Sequence, residues 1–447
     1  MSQFSGALRT FKGGIHPPDS KKITEGKPIE DYLDPQMDLV FPMQQHIGAP
    51  CKPLVKKGDR ILRGQCIGEA AGFVSSPIHS SVSGVVKDVK PMLHINGSKV
   101  MSVVVENDHQ YEEAPELAVR YEYTAMKREE IVERIRQAGI VGMGGAGFPA
   151  HVKLSPGPDK KIDTIIVNGA ECEPFLSSDY RVMIEAPEKV VEGLKILLTL
   201  FPEAKGYIGI ENNKPKSIEL LMDLTKEIPN VSVVPLLTKY PQGGEKQLIN
   251  AVTGRQVPSG GLPADAGCIV HNIDTVVAIY YALVESLPLM RRIVTVAGGA
   301  IREAKNFRVR IGTNIQELIQ AAGGFVTEPY KILNGGPMMG MPLYSTDVPV
   351  LKGTSALLFF NEEEAFIPEE SQCIRCGKCI EACPIHLLPY ELNHLALRRD
   401  WEGFERMHGM DCIECGSCCY VCPAKRHLTQ TFKAGKQIVA ANRKKKG

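Results

Sequence analysis

The sequence predicts a multidomain α/β protein: an N-terminal β domain, a Rossmann-like parallel α/β domain, a small mixed domain and a C-terminal helical domain built on cysteines. Three observations carry this. Strand-like and helix-like segments alternate from residue 162 to residue 275, the pattern of a parallel sheet with helices on both faces. Just ahead of them, residues 139–153 read Gly-Ile-Val-Gly-Met-Gly-Gly-Ala-Gly-Phe-Pro-Ala-His-Val-Lys. Nine of the 13 cysteines fall between residues 373 and 422.

With 447 residues the chain has room for about three domains. It is 43% hydrophobic and 23% charged with a net charge of +1, a balance that calls for no nucleic acid. Residues 1–14 lack the apolar run of a signal sequence, and no segment reaches the roughly 18 apolar residues of a membrane span. The expected location is the cytoplasmic side of the cell membrane, peripheral to it.

Taken in order, residues 11–18 (Phe-Lys-Gly-Gly-Ile-His-Pro-Pro) have the punctuation of an extended arm rather than a regular element, and the arm is assigned to 1–41. From 42 to 115, short β-like runs at 56–65, 81–86 and 100–105 alternate with glycine turns. This resembles the barrel-sandwich hybrid fold of biotinyl and lipoyl domains. Such domains carry a modified lysine at a hairpin tip, whereas here the tip reads Ser76-Pro-Ile-His-Ser80. A structural role is expected in place of a swinging arm, with His79 a polar surface residue.

Residues 120–290 form the next unit. The helix expected over 127–138 puts Ile131, Ile135 and Ala138 on one face, and Gly139 stops it. The glycines at 139, 142, 144, 145 and 147 let backbone N–H groups approach a bound phosphate. Flexible turns also produce such runs. Two features favour a cradle for a phosphorylated cofactor: the cation of Lys153, and the segment 164–174, an apolar strand that ends in Asn168, Glu171 and Glu173. Polar groups at the carboxyl end of a buried strand are where open α/β sheets bind ligands. Strands are expected at 162–167, 206–210 and 231–237, and helices at 187–200, which Pro187 opens, and 215–227. The turns at 240–246 (Tyr-Pro-Gln-Gly-Gly-Glu-Lys) and 270–275 (Val-His-Asn-Ile-Asp-Thr) open further helices, suited either to anion contacts or to plain capping.

Residues 291–360 change character, with short strands at 293–296 and 307–311 and a helix over 315–322 ended by two glycines, a mixture expected of a small β-grasp-like domain. An acidic spacer at 361–370 leads into the cysteine domain, 365–435, and a basic tail, 436–447, reads as a solvated end.

Cys373, Cys376, Cys379 and Cys383-Pro384 have the spacing of the bacterial ferredoxin run, and Cys412, Cys415, Cys418 and Cys422-Pro423 repeat it. In such pairs three thiolates wrap one cubane and the fourth reaches to the other. One 4Fe-4S cluster is therefore assigned to Cys373, Cys376, Cys379 and Cys422, and a second to Cys412, Cys415, Cys418 and Cys383. Zinc knuckles do not need three evenly spaced cysteines and a fourth before proline, twice. Cys419 is left over, a buried thiol beside a cluster. A helix over 387–399 joins the two runs.

With both ends in view the chain resembles the RnfC family, the C subunits of Rnf electron-transport complexes, also called ion-translocating oxidoreductase complexes, over nearly its whole length. Its central part is similar to the NADH- and FMN-binding subunit of respiratory complex I. The resemblance rests on residues 142–149 with Lys153, and on residues 168–174. It implies that Gly142, Gly144, Gly145, Lys153, Asn168, Glu171, Asn272 and Thr275 hold FMN, while Phe148, Glu173, Tyr240, Gly243 and Glu245 serve NADH and FMN. Ala170 and Gly244 depart from the family pattern, each standing where an acid is expected. The resemblance further implies an SLBB-like β-grasp domain, in which ligand binding need not be retained.

No catalytic acid or base is singled out, because a hydride step needs none. Flavin is required between NADH, which gives two electrons, and a cluster, which takes one. The function expected is a redox entry subunit linking NADH and ferredoxin to ion movement by membrane and ferredoxin-type partner subunits. A stand-alone flavin reductase such as a cobalamin reductase, and a non-catalytic electron carrier or scaffold, are the alternatives.

Overall fold

The computed structural model describes residues 8–446, so the first seven residues of the assigned arm and the last of the tail lie outside the described residues. The described strands form four sheets.

The central one positions the site. Its strands run parallel in the order Val231–Leu236, Lys205–Glu211, Thr164–Gly169, Cys268–Asn272. Thr164–Gly169 is buried almost end to end, as expected of a parallel strand covered on both faces. Ile165 and Val167 pack with Leu194, Leu197 and Ile279 of the helices Pro187–Leu200 and Ile273–Val284. Ile166 points the other way, against Leu248, Ile249 and Val252 of the helix Glu245–Thr253. Successive side chains of a strand leave opposite faces, so the two helical layers are contacted alternately. Asn272 ends one strand and begins the next helix, its side chain accepting the N–H of Asp274 at 2.9 Å.

In the N-terminal β domain a four-stranded antiparallel sheet (Leu39–Pro42, Lys99–Asn107, Gly84–Leu93, Arg60–Ile61) shares a core with a three-stranded one (Lys52–Pro53, Cys66–Glu69, Ile78–His79). The first of these strands starts at residue 39, inside the assigned arm. The expected tip at residues 76–80 is not a tip. Ser76, Ile78 and Ser80 are fully buried, and His79 is buried in a strand rather than displayed at the surface.

The arm also differs from expectation. Ile29–Tyr32 is a strand that pairs in parallel with Lys305–Arg310, at the edge of a six-stranded sheet completed by Arg291–Ala297, Ala356–Phe360, Lys331–Asn334 and Met341–Leu343. Glu30 and Asp31 face Lys305 and Arg308 across that pairing, at 3.1 and 2.6 Å. Earlier in the arm, Arg9 and Leu237 bond through their backbones beside the outermost central strand, and Ile15 and Tyr240 exchange two backbone hydrogen bonds of 2.8 Å. An edge that would otherwise expose unpaired backbone groups is thereby capped.

The C-terminal region is helical. Leu392, Phe404, Phe432 and Val439 join the helices Pro389–Leu397, Trp401–Arg406 and Leu428–Lys446 in one core. The last helix crosses the boundary assigned at 435/436, so the basic tail is a continuation of it, and Arg443 bonds Glu405 at 3.0 Å rather than standing free.

Candidate flavin and cluster sites

The glycine loop leaves the helix Arg128–Gln137 and is closed at its base like a hairpin. Gly142 N–H donates to the Phe148 carbonyl at 2.8 Å, and Val141 bridges Pro149. Its tip, Gly144 to Ala146, is exposed. The Thr275 hydroxyl accepts the Met143 N–H at 3.0 Å from within the core, fixing the loop to the N-terminus of the helix Ile273–Val284. Gly144 lies so close to Asn272 that a Cβ there would stand 2.9 Å from Nδ2 and 3.0 Å from the Asn272 Cβ. Asn272 cannot retreat freely, because its amide donates to Asp179 at 2.6 Å while its oxygen caps the helix.

Lys153 follows the loop and is held by Glu245 at 2.5 Å and by the Val270 carbonyl at 3.1 Å. Both charged ends remain partly open to solvent, with side chains 27% and 37% exposed. At the neighbouring strand end, Asn168 donates to the Gly243 carbonyl at 2.8 Å and accepts from Ala170 N–H at 3.2 Å. The loop, Lys153, Asn168, Asn272, Thr275, Gly243 and Glu245 thus gather at the carboxyl ends of the central strands. Of the two departures, Ala170 is fully buried in the apolar core, and a Cβ on Gly244 would stand 2.6 Å from Gln247 Oε1.

Beneath this surface lies a charged layer in which Glu171 meets partners that the sequence did not announce. Glu171 has φ +46°, receives the Asp179 N–H at 2.7 Å and faces Lys21 of the arm at 3.8 Å, while its Oε2 is buried without a hydrogen bond. Glu211 and Lys214 stand 3.5 Å apart beside them, and Lys214 donates to the Ala170 carbonyl. Burial raises the carboxyls of Glu211 and Asp179 to about 7, opposed in Glu211 by the nearby lysines and in Asp179 by Asn272 and Arg292. Glu173 is also pushed up to about 7 by burial, although it accepts the N–H groups of Met338 and Met339 at 3.0 Å. Lys21, Asp179 and Lys214 escaped sequence reading because a lone lysine or aspartate carries no spacing signal.

Tyr240 does not face the loop. It is almost fully buried, and its hydroxyl donates to the Cys415 carbonyl at 2.7 Å. Together with Ile15, Ala382 and Cys415 it forms a small core against which Cys172, Met338 and Ile413 pack. The arm adds to this junction through Gly14 N–H on the Ala382 carbonyl, and Gln247 through its amide on the Pro384 carbonyl at 3.3 Å.

Behind Tyr240, Cys383, Cys412, Cys415 and Cys418 line one cavity whose other walls include Ile385, Leu387, Ile413 and Phe432. Four thiols in an apolar shell are the donor set an iron–sulfur cubane takes. Burial pushes the Cys412 thiol up to about 12, so as a free group it keeps its proton, and iron ligation would replace that proton. Cys419 points elsewhere, its sulfur within 3.2 Å of both the Thr429 hydroxyl and the Thr429 N–H. In the other set Cys373 and Cys376 are exposed, while Cys379 lies within electrostatic reach of Cys373 and Cys422. Among the described residues no three His, Cys, Asp or Glu side chains close on a single-ion position.

Family models match in the same order. A RnfC barrel sandwich hybrid domain covers residues 9–110, a Nuo51 FMN-binding domain 135–281, an SLBB domain 293–342 and a 4Fe-4S dicluster domain 372–426. The chain is 48% identical, over 98% of both chains, to the C subunit of the Na(+)-translocating ferredoxin:NAD(+) oxidoreductase complex of Acetobacterium woodii. The chain belongs to the RnfC family. Within that family, the C subunit of the proton-translocating ferredoxin:NAD(+) oxidoreductase complex of Clostridium ljungdahlii is 49% identical over 95% of this chain and 92% of its own. Among solved structures, a NAD+-reducing [NiFe]-hydrogenase chain aligns with 73% of this RnfC chain and 62% of its own length, at TM-score 0.49 and 16% identity. This RnfC chain thus carries an FMN-binding domain and a 4Fe-4S dicluster domain, and among its described residues no helix is long and apolar enough to cross a membrane.

Proposed function

We propose that this chain is the NAD(H)-linked redox subunit of an ion-translocating ferredoxin:NAD+ oxidoreductase complex. The observation that carries the reading is the contact of Tyr240 with Cys415, which sets a four-thiol cavity against the end of the sheet where the glycine loop gathers its partners. Electron transfer needs such adjacency, and an unrelated pairing of domains does not.

In this reading the loop N–H groups of Gly144 and Gly145, together with Lys153, bind the FMN phosphate, Gly142 closes the cradle at its base through the Phe148 carbonyl, and Asn272 and Thr275 hold the loop in shape. Asn168 and Glu171 border the ring site. Phe148, Glu173, Gly243 and Glu245 form the side on which NAD(H) is received, with Glu245 holding Lys153 in place. FMN, when bound, supplies the exchange between a hydride and single electrons. The residues of the chain orient the two ring systems and exclude water.

Cys383, Cys412, Cys415 and Cys418 hold one 4Fe-4S cluster, beside the flavin domain. Cys373, Cys376, Cys379 and Cys422 hold the second, on the exposed side where a partner protein can approach. The domains take the barrel-sandwich, Rossmann-like, β-grasp and ferredoxin-like folds expected above. The chain sits peripherally on the cytoplasmic face of the membrane, with integral membrane and ferredoxin-type subunits as partners. The coupling ion belongs to those partners, since relatives of nearly equal identity are named for sodium and for protons.

The test is an anaerobic NADH titration of the purified chain, following flavin absorbance and cluster EPR signals together. Bleaching of flavin with the appearance of reduced-cluster signals is the expected result. Clusters present with no flavin and no response to NADH would refute the reading.

A further inference from the structure

Lys352 lies in a tight turn ahead of the strand Ala356–Phe360, in which Thr354 N–H bonds the Leu351 carbonyl at 3.1 Å. Its side chain is fully buried. A buried ammonium is costly unless it is paired, and among the described residues no carboxylate pairs with Lys352. Its partners are instead two carbonyls from two other domains, Pro77 at 2.5 Å and Gly139 at 2.6 Å.

Gly139 is where the glycine loop begins. Its N–H still bonds back to Arg136 of the preceding helix, but its φ of +69° turns the chain out of the helix and leaves its carbonyl without a helical successor. Carbonyls at a helix C-terminus are unsatisfied and carry the negative end of the macrodipole, so a cation there is favoured. The approach is tight enough to need glycine, because a Cβ on residue 139 would stand 2.8 Å from the Lys352 nitrogen and 2.4 Å from the Pro77 carbonyl.

We infer that Lys352 is a positioning residue for the glycine loop, its ammonium pinning the start of that loop to the N-terminal β domain and to its own turn. The inference rests on the reading of the loop as the FMN cradle. Pinning Gly139 fixes Val141, which bridges Pro149 at the loop base, and so fixes how the Gly144 tip meets Asn272. The N-terminal β domain acquires a role by the same contact, since its Pro77 carbonyl is one of the two that hold the ammonium.

The pin has a pH signature. Burial lowers the Lys352 amine to about 8, opposed by the Cys51 and Cys66 thiols. The other groups facing it are His46 and His79, with His151 beyond His46. Burial lowers all three imidazoles, His79 to about 3, and raises both thiols above their ordinary value of 9.0. Between pH 7 and 9 the lysine is thus the member of this group that changes charge. A phosphate with a second pKa of about 6 stays dianionic throughout that window. As pH rises through 8 the ammonium becomes an amine, its bonds to the two carbonyls lose their charge assistance, and the loop is held less firmly.

The experiment titrates FMN-depleted full-length protein with FMN from pH 7 to 9, read by flavin fluorescence, for wild type, Lys352→Met and Lys352→Gln. Wild-type affinity is expected to fall by about tenfold more than that of the variants across the range, the most that one linked proton gives per pH unit above its pKa. Lys352→Met should bind at least about tenfold more weakly at pH 7, and the slope left in its profile belongs to Glu173, Asp179 and Glu211, whose carboxyls are raised to about 7. A wild-type profile no steeper than that of the variants, or a variant with wild-type affinity at pH 7, overturns the inference. Should the Met variant fail to fold, Lys352→Gln keeps two N–H donors without the charge and is expected to show the same shallower profile. Wild type that takes up no FMN at any pH would instead sink the reading of the loop itself.

Discussion

The cradle can be tested by adding one methyl group. In Gly144→Ala the new Cβ would stand 2.9 to 3.1 Å from three atoms of the Asn272 side chain, so that either the loop or Asn272 has to give way. Asn272 is fixed at both ends, by its cap on Asp274 N–H and its bond to Asp179. Losing an N-cap costs about 1 kcal/mol, and losing a hydrogen bond to a carboxyl about 1 kcal/mol or somewhat more. The sum, about 2 kcal/mol, is charged either to Asn272 or to a loop that backs away from it. At 1.4 kcal/mol per tenfold, FMN affinity should drop by about 30-fold. Gly145→Ala is the internal control, because nothing lies within 4 Å of its added Cβ. Thermal unfolding of the FMN-depleted protein should therefore shift for residue 144 and not for residue 145. Fluorescence titration with FMN reads the affinity. Wild-type affinity in Gly144→Ala would refute the reasoning that Asn272 is locked beneath the loop.

Three other perturbations separate binding from stability. In Lys153→Met the lost pair with Glu245 is partly exposed and worth at most about 1 kcal/mol, so unfolding should barely move while FMN uptake is lost; unchanged uptake would remove Lys153 from the phosphate site. Tyr240→Phe leaves the Cys415 carbonyl without its 2.7 Å donor in a dry junction, at a cost of about 1–3 kcal/mol. Iron should then leave to a chelator several-fold faster, and a loss of NADH affinity with no change in iron release would instead assign Tyr240 to the nucleotide. Glu173 is raised from 4.5 to about 7, so between these values the folded chain holds a proton that the unfolded chain has released. Its contribution to stability is therefore fully present below 4.5 and is lost as pH rises through 7. Glu173→Gln should gain on wild type in denaturant unfolding from pH 5 to pH 8, and a constant difference would contradict this.

The central sheet was legible because its signals are local. Residues 164–169 are a continuous apolar run, Pro187 opens its helix at the first position, and the helix over 187–200 repeats its apolar face for 14 residues. The arm strand Ile29–Tyr32 was not legible. Its four residues are exposed or half-buried and two are acids, so no period-two apolar pattern exists. What makes it a strand is Lys305 and Arg308, some 275 residues away. His79 was misread for the same reason: a histidine between turn residues resembles a surface group until two sheets close over it.

The site divides along the same line. Glycine and cysteine spacings announce where a backbone must bend or a thiol must point, because those requirements fall on the residue type itself. Lys21, Lys214 and Lys352 announce nothing, since a buried lysine is spelled like an exposed one. Yet each ends on backbone carbonyls: Lys21 on Glu173, Lys214 on Ala170 and Lys352 on Gly139. All three carbonyls belong to segments that leave regular structure at the site, where no ladder or helix satisfies them. A cradle of irregular backbone needs donors from outside its own sequence, and lysine brings three N–H donors on a long flexible stem. The arm and the turn at Lys352 lie far apart in the chain, and they meet the same physical need.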